Sequence, residues 1–247
     1  GFQALIKLGL ADFGIAGTDI GGKALFAGAR FLLAGLVVLA VAKLCGRSFA
    51  VPRGKTRWQL VLFGLVNTAL HYFFFYLGVS NSPGGRASIL DSLGTFLLIL
   101  AAAVVFREKL TIRSIFGCLL GFSGIVLINL GSTAGQFTLS GDGMLLCSSV
   151  CAMAGGLLTR VVTRKMDPLV ATGHSLALGG ALLIPAGLLM GAHPVGVHPK
   201  GLLILAALVA VSAVGFSFYN QLLRYHPVGQ IAIYNAFIPV LGVVLSC

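Results

Sequence analysis

The chain has 247 residues, 57% of them hydrophobic and 9% charged, with a mean hydropathy of +1.01. A soluble domain carries about 25% charged residues, so the composition excludes an ordinary soluble globular protein. The formal net charge is +11, but the basic residues stand between apolar stretches rather than along one polar face, which argues against nucleic acid as a partner. The five cysteines (Cys45, Cys118, Cys147, Cys151, Cys247) lie in or beside apolar stretches, with neither metal-ligand spacing nor the look of a disulfide framework. Cys147 and Cys151 share a helix face and read as small apolar fillers.

The hydrocarbon core of a bilayer is roughly 30 Å thick, so a spanning helix needs about 20 apolar residues. Such stretches follow one another at 1–11 (partial), 24–44, 58–79, 86–106, 112–130, 143–163, 168–190, 201–223 and 229–247. The pattern predicts an all-α, polytopic membrane helix bundle. The links are short and several carry Gly or Pro, as at Gly84-Gly85, His193-Pro194 and His226-Pro227. No segment is long enough to fold as a separate soluble domain.

Basic residues alternate between loops. Lys43, Arg47, Arg53, Lys55 and Arg57 follow the second span; Arg107, Lys109 and Arg113 the fourth; Arg160, Arg164 and Lys165 the sixth; Arg224 the eighth. That places twelve of the 17 Lys and Arg on one side, which predicts the cytoplasmic face. The loops around Asp19, Ser132 and His198 are then outside. An integral, multi-pass protein of the cell (inner) membrane is expected.

Two halves echo each other at an offset of 144 residues. Ser82-Pro83-Gly84-Gly85-Arg86 matches His226-Pro227-Val228-Gly229-Gln230, Asp91 falls on Asn235, Thr95 on Pro239, Arg30 on His174 and Gly35 on Gly179. Each unit holds five spans, an odd number, so the second is inverted. Inverted repeats with a midplane site between them are a transporter signature.

Ser88 to Thr111, with its acidic turn Glu108-Lys109-Leu110-Thr111, and the glycine-rich helix Gly117 to Gly124 resemble the EamA-type repeat of the drug/metabolite transporter superfamily. Ala29-Arg30-Phe31 and Asn220-Gln221 with Pro227 fit the same resemblance, which covers nearly the whole chain. It implies ten helices in two inverted five-helix repeats, at 1–131 and 143–247, with most of the first helix and all of the last outside this chain. Thr95 stands where similar proteins carry Pro, which Pro239 keeps in the second repeat. Arg107 stands where Gly commonly precedes the Glu, and Asp91 is atypical at its position.

Asp91 is the most informative residue. Of six acids it alone falls inside an expected span, five residues in, about 8 Å from the outer end. An intramembrane carboxylate costs roughly 2.5–3.5 kcal/mol on insertion scales, so it faces a partner or a watery cavity. It reads as a proton-coupling or cation-binding group, or else as a structural pair with Arg86. Its mate Asn235 precedes Pro239, which removes the amide that would bond the Asn235 carbonyl and so kinks the ninth span.

His71 and Asn67 share a face at i, i+4 ahead of Tyr72-Phe73-Phe74-Phe75-Tyr76, lining either a cavity with aromatic walls or an interfacial aromatic belt. Arg30, near the outer end, attracts anionic solutes or snorkels; His174 is its mate at the opposite depth. Tyr219, Asn220 and Gln221 are polar candidates near the inner end. Gly28, Gly117, Gly121 and Gly124 read as packing residues. His193 and His198 lack a third ligand for a metal.

The reading is a secondary transporter, an exporter of a small organic metabolite or drug-like solute working by alternating access, with proton coupling through Asp91 as an option. No Walker motif is present for direct ATP drive. The rivals are a membrane-embedded enzyme, which needs a convergent catalytic constellation, and a non-transporting structural membrane protein. No catalytic residue, cofactor or metal is expected. The expected partners are a small solute and the lipid bilayer, and nothing indicates a homo-oligomer.

Overall fold

The computed structural model describes residues 8–16, 19–49, 51, 54–108, 112–129, 136–192, 199–228 and 230–231. Seven helices are described: α1 Ile20–Leu44, α2 Lys55–Asn81, α3 Gly84–Val105, α4 Ile112–Asn129, α5 Leu139–Thr163, α6 Pro168–Leu189 and α7 Pro199–Tyr225. They correspond to the second through eighth expected spans. All but α4 are long and apolar enough to cross a membrane. Of the first span, residues 8–12 are helical. Most of the ninth span, with Asn235 and Pro239, lies outside the described residues, as do His193 and His198.

Local chemistry sets the helix starts. The Asp19 carboxylate accepts from the Gly22 amide at 2.7 Å, so α1 begins four residues before the apolar pattern does. Asp167 caps α6 by accepting from the Leu169 amide at 2.9 Å, with Pro168 at the first helical position, where its missing N–H costs nothing. α5 opens in a π-helical turn, Leu139–Gly143, which draws Asp142 into the helix. Asp142, and Asp12 at the end of the 8–12 helical stretch, are therefore acids inside helices beside Asp91, a correction to the reading of Asp91 as the only one.

α1 and α6 are the most closely packed pair. Gly21, Gly28 and Gly35 on α1 face Gly187, Gly180 and Gly173 on α6, an antiparallel register with glycine every seven residues on both helices. Seven residues are nearly two turns, so each set falls on one face, and small residues there let backbones approach closely. A Cβ on Gly28 would sit 2.8 Å from the Ile184 nitrogen, and one on Gly187 2.7 Å from the Leu25 nitrogen. The two helices matched by the repeat thus run in opposite directions, as inverted copies must. Gly28 packs as expected, but a Cβ on Gly124 meets nothing within 4 Å among the described residues. α4 instead turns Phe116, Leu119, Leu120 and Leu127 outward.

α3 and α5 run parallel and are joined along their length. Gly94 abuts Ser149 and Ala152, Gly156 abuts Leu98, and the Ser149 hydroxyl donates to the Leu90 carbonyl at 2.6 Å. Each end carries an ion pair. Arg86 meets the fully buried Asp142 at 2.8 Å, and Arg160 pairs with Glu108. Asp142 also accepts from the Ser82 hydroxyl at 2.6 Å and the Thr138 amide at 3.0 Å. Removing one member of a buried pair strands the other's charge, at a cost of about 3–5 kcal/mol. Asp142→Ala should therefore lower stability by about 3 kcal/mol, against about 1 kcal/mol for Ser82→Ala, which removes one hydrogen bond. Thermal denaturation in detergent checks both.

Arg107, after α3, adopts φ 53°, the left-handed region that favours glycine. A side chain there costs about 1 kcal/mol, which fits the Gly that the resemblance implies before the Glu. Arg107→Gly should raise the unfolding midpoint by a few degrees, less what the added chain freedom of glycine offsets.

Candidate functional site

The candidate site grows from an irregularity in α2. At Leu65–Leu70 the helix widens into a π turn, a form found mostly as single-turn bulges and frequent at functional sites. The bulge sits where α2 crosses α6: Gly64 lies against Ser175 and Leu178, Thr68 packs on Gly179, and the Thr68 and Ser175 hydroxyls are 3.5 Å apart. Asn67 lies within the bulge with its side chain against Gly155 of α5, and His71 follows directly after it. Both side chains turn toward α5, as the i, i+4 spacing predicts.

His71 is held by Ser148 of α5. Its Nδ1 is 3.1 Å from the Ser148 carbonyl and 3.0 Å from the Ser148 hydroxyl, and that hydroxyl donates to the His71 carbonyl at 3.1 Å. A carbonyl only accepts, so this network assigns the proton to Nδ1 and leaves Nε2 as the basic nitrogen. Ser148 was not among the sequence candidates. The Ser148-Ser149 pair inside an apolar run was the available signal.

Asp91 lies seven residues into α3, about 10 Å from its start. Its side chain is exposed on the side of the bundle where α3 passes α2. It interacts electrostatically with His71 and with Tyr72. Arg86, the alternative partner on the same helix, reaches across to Asp142 and to the Gln136 carbonyl at 2.8 Å.

The aromatic run of α2 faces inward rather than forming an interfacial belt. Tyr76 is buried in the main core cluster, and the Tyr72 ring centroid is 4.3 Å from that of Phe31. Arg30 projects into the same region, with its guanidinium 4.3 Å from the Phe31 ring centroid and its charge acting on Tyr72 and Tyr76. Arg30 is 1% exposed and lies ten residues into α1, about 15 Å along the helix from its start. This corrects its placement near the outer end and removes snorkelling. The misplacement follows from α1 starting at Ile20 rather than residue 24.

Arg30 on α1, Tyr76, Tyr72 and His71 on α2, and Asp91 on α3 thus form a series of polar groups that act on one another electrostatically. The other candidates lie elsewhere. His174 donates from Nδ1 to its own helix's Val170 carbonyl at 2.8 Å. Asn220 is buried and donates to the Thr172 hydroxyl at 2.8 Å, pinning α7 to α6. Tyr219 packs on a cluster holding Leu98 and Val228. Gln221 lines a cavity at the basic end of the bundle. Cys147 is exposed rather than a filler. Among the described residues no three His, Cys, Asp or Glu side chains gather where they could hold a metal.

Apolar helices of membrane length, an antiparallel pair of repeat-matched helices and a series of interacting polar groups on them define a polytopic membrane protein of the inverted-repeat kind. The EamA-like transporter family model matches the chain twice, at residues 22–130 and 139–247, and the chain belongs to that family. It is an integral, multi-pass membrane protein. It is 30% identical over 162 residues to a WAT1-related chloroplastic protein of Arabidopsis thaliana, covering 63% of this chain and 38% of that protein. It is 24% identical to the uncharacterized transporter YvbV of Bacillus subtilis, over 90% of this chain and 73% of that one. A "Probable terminal-alkyne amino-acid exporter" of Streptantibioticus cattleyicolor is 23% identical over 73% of this chain and 57% of its own length. A solved crystal structure superposes with a TM-score of 0.78 at 19% identity, over 99% of this chain and 86% of the other, which shows a shared fold.

Proposed function

We propose that the chain forms the translocation path of a secondary transporter that exports a small organic solute by alternating access, with Asp91 and His71 as its proton-linked pair. The observation that carries this reading is Asp91, a carboxylate well inside an apolar helix and acting electrostatically on a histidine whose basic nitrogen Ser148 leaves available. When Asp91 is ionised it favours a protonated His71. When a proton neutralises the carboxylate, that attraction vanishes and α3 is released from α2. Coupling of this kind is a two-state bias, since each proton form favours one arrangement of packed helices. A membrane potential of 100 mV supplies about 2.3 kcal/mol per charge moved, enough for a roughly 50-fold solute gradient.

The two repeat units would rock about the close α1–α6 contact. The name of the Streptantibioticus relative makes amino acids the first solutes to test. The intact protein in proteoliposomes should move at least one labelled amino acid or small amine faster than protein-free vesicles, and faster still with an opposing proton gradient. No movement or exchange of any solute across a broad panel would sink the transporter reading.

Orientation follows from the charge bias. In a background without the native cysteines, Gln136→Cys should react with an impermeant thiol reagent applied to whole cells, and Lys55→Cys should not. Both positions are exposed. The opposite pattern would reverse the topology.

A further inference from the structure

At the basic end of the bundle, between the ends of α1 and α7 and the α5–α6 connection, lies a cavity of about 370 Å³. Arg47, Arg164, Lys165 and Arg224 line it, with Asp167 as the one acid. Asp167 is already committed. One oxygen caps α6 through the Leu169 and Val170 amides, and the other is 3.7 Å from Arg47. Four cations therefore face a single engaged carboxylate around a space large enough for a small polar group.

The cations are presented as anion donors. The Arg224 guanidinium lies over the Tyr225 ring at 5.5 Å, and that of Arg164 lies 5.9 Å from the Phe106 ring. Arg47 pairs with Asp167 and Lys165 donates to the Gln59 side-chain oxygen at 2.9 Å, so Arg164 and Arg224, each beside a ring, are the cations placed to give a guanidinium fork to phosphate oxygens. Arg47 is half-exposed and can swing onto a ligand.

The surroundings say which phosphate. The α7 wall of the cavity includes Tyr225, and Tyr225 ends an exposed stripe of Val211, Val214, Phe218 and Leu222 at three- and four-residue spacing. The cavity thus opens beside an exposed apolar helix face, at the end of the bundle that carries the clustered Lys and Arg. Clustered Lys and Arg of this kind attract anionic lipid, at about 1 kcal/mol per cation.

We infer that this cavity is a binding site for the phosphate headgroup of an anionic phospholipid, whose chains lie along α7. The site is distinct from the Asp91 series and does not depend on its function. The test is native mass spectrometry of the purified intact protein with dioleoyl phosphatidylglycerol, dioleoyl phosphatidylcholine or inorganic phosphate added. Wild type should retain phosphatidylglycerol one-to-one over phosphatidylcholine. Arg164→Gln/Arg224→Gln should weaken that adduct about 30-fold. Arg47→Gln, a milder change at a half-exposed side chain, should weaken it about fivefold and serves if the double variant does not fold. Lys43→Gln/Lys55→Gln, at the same end but off the cavity, should leave it unchanged. Equal retention by wild type and Arg47→Gln would overturn the site. Equal retention of the two lipids, with phosphatidylglycerol displaced by millimolar inorganic phosphate, would make it a free-anion site and overturn the lipid assignment.

Discussion

Asp91→Asn should abolish gradient-driven transport while leaving the protein folded and inserted. The substitution keeps the shape of the side chain and removes only its titration. Insertion should be easier, since the charged form costs roughly 2.5–3.5 kcal/mol at the helix centre. Among the described residues no hydrogen bond to the Asp91 side chain is present as there is at Asp142, and Asp91 interacts electrostatically with His71 and Tyr72. Exchange of solute at equal concentrations should survive, because it needs the translocation path but not the proton. His71→Gln should show a weaker form of the same defect, since Gln can still bond Ser148 but cannot carry the charge. Uptake measured with and without an imposed pH gradient, mutant beside wild type, separates the two activities. Undiminished gradient-driven uptake by Asp91→Asn would rule out an obligatory proton role.

The second large effect is structural. Gly28→Val should prevent α1 and α6 from closing. The added Cβ would meet the Ile184 nitrogen at 2.8 Å and the Gly180 oxygen at 3.0 Å, both backbone atoms that no rotamer change can move. Overpacking typically costs 1–3 kcal/mol and more where backbone must shift, whereas replacing Gly gains at most about 1 kcal/mol of helix propensity. The clash wins, and the folded yield and unfolding midpoint should both fall sharply. A Cβ at Gly124 meets nothing within 4 Å among the described residues, so Gly124→Ala should not destabilise. Equal stability of the two variants would refute the close α1–α6 contact.

The comparison of those two glycines shows what a sequence can carry. Hydropathy marked every described helix, because the bilayer demands about 20 apolar residues whatever the packing. The family resemblance and the inverted arrangement were also legible, from motif order and the repeat offset. Helix starts were not, because capping by Asp19 and the π turn before Met144 extend helices past their apolar pattern. That error moved Arg30 toward the surface and left Asp142 outside a helix. The glycine ladder was missed because glycine is common in membrane helices and only the partner's register distinguishes Gly28 from Gly124. Asp91 and His71 were picked out as polar residues in apolar runs. Their proximity depends on how α2, with its π bulge, packs against α3 and α5, which no spacing within one helix reveals. The same limit separated His174, Tyr219, Asn220 and Gln221 from the series.

In the proposed mechanism, solute movement is tied to a proton carried at Asp91 and His71. The most direct measurement is the pH inside proteoliposomes loaded with a pH-sensitive dye, with no imposed gradient, as a transported solute is added outside. The account predicts a lumenal pH change that starts with solute entry, scales with the solute moved, and is absent in Asp91→Asn. Solute entry with no pH change in the wild-type protein would contradict it.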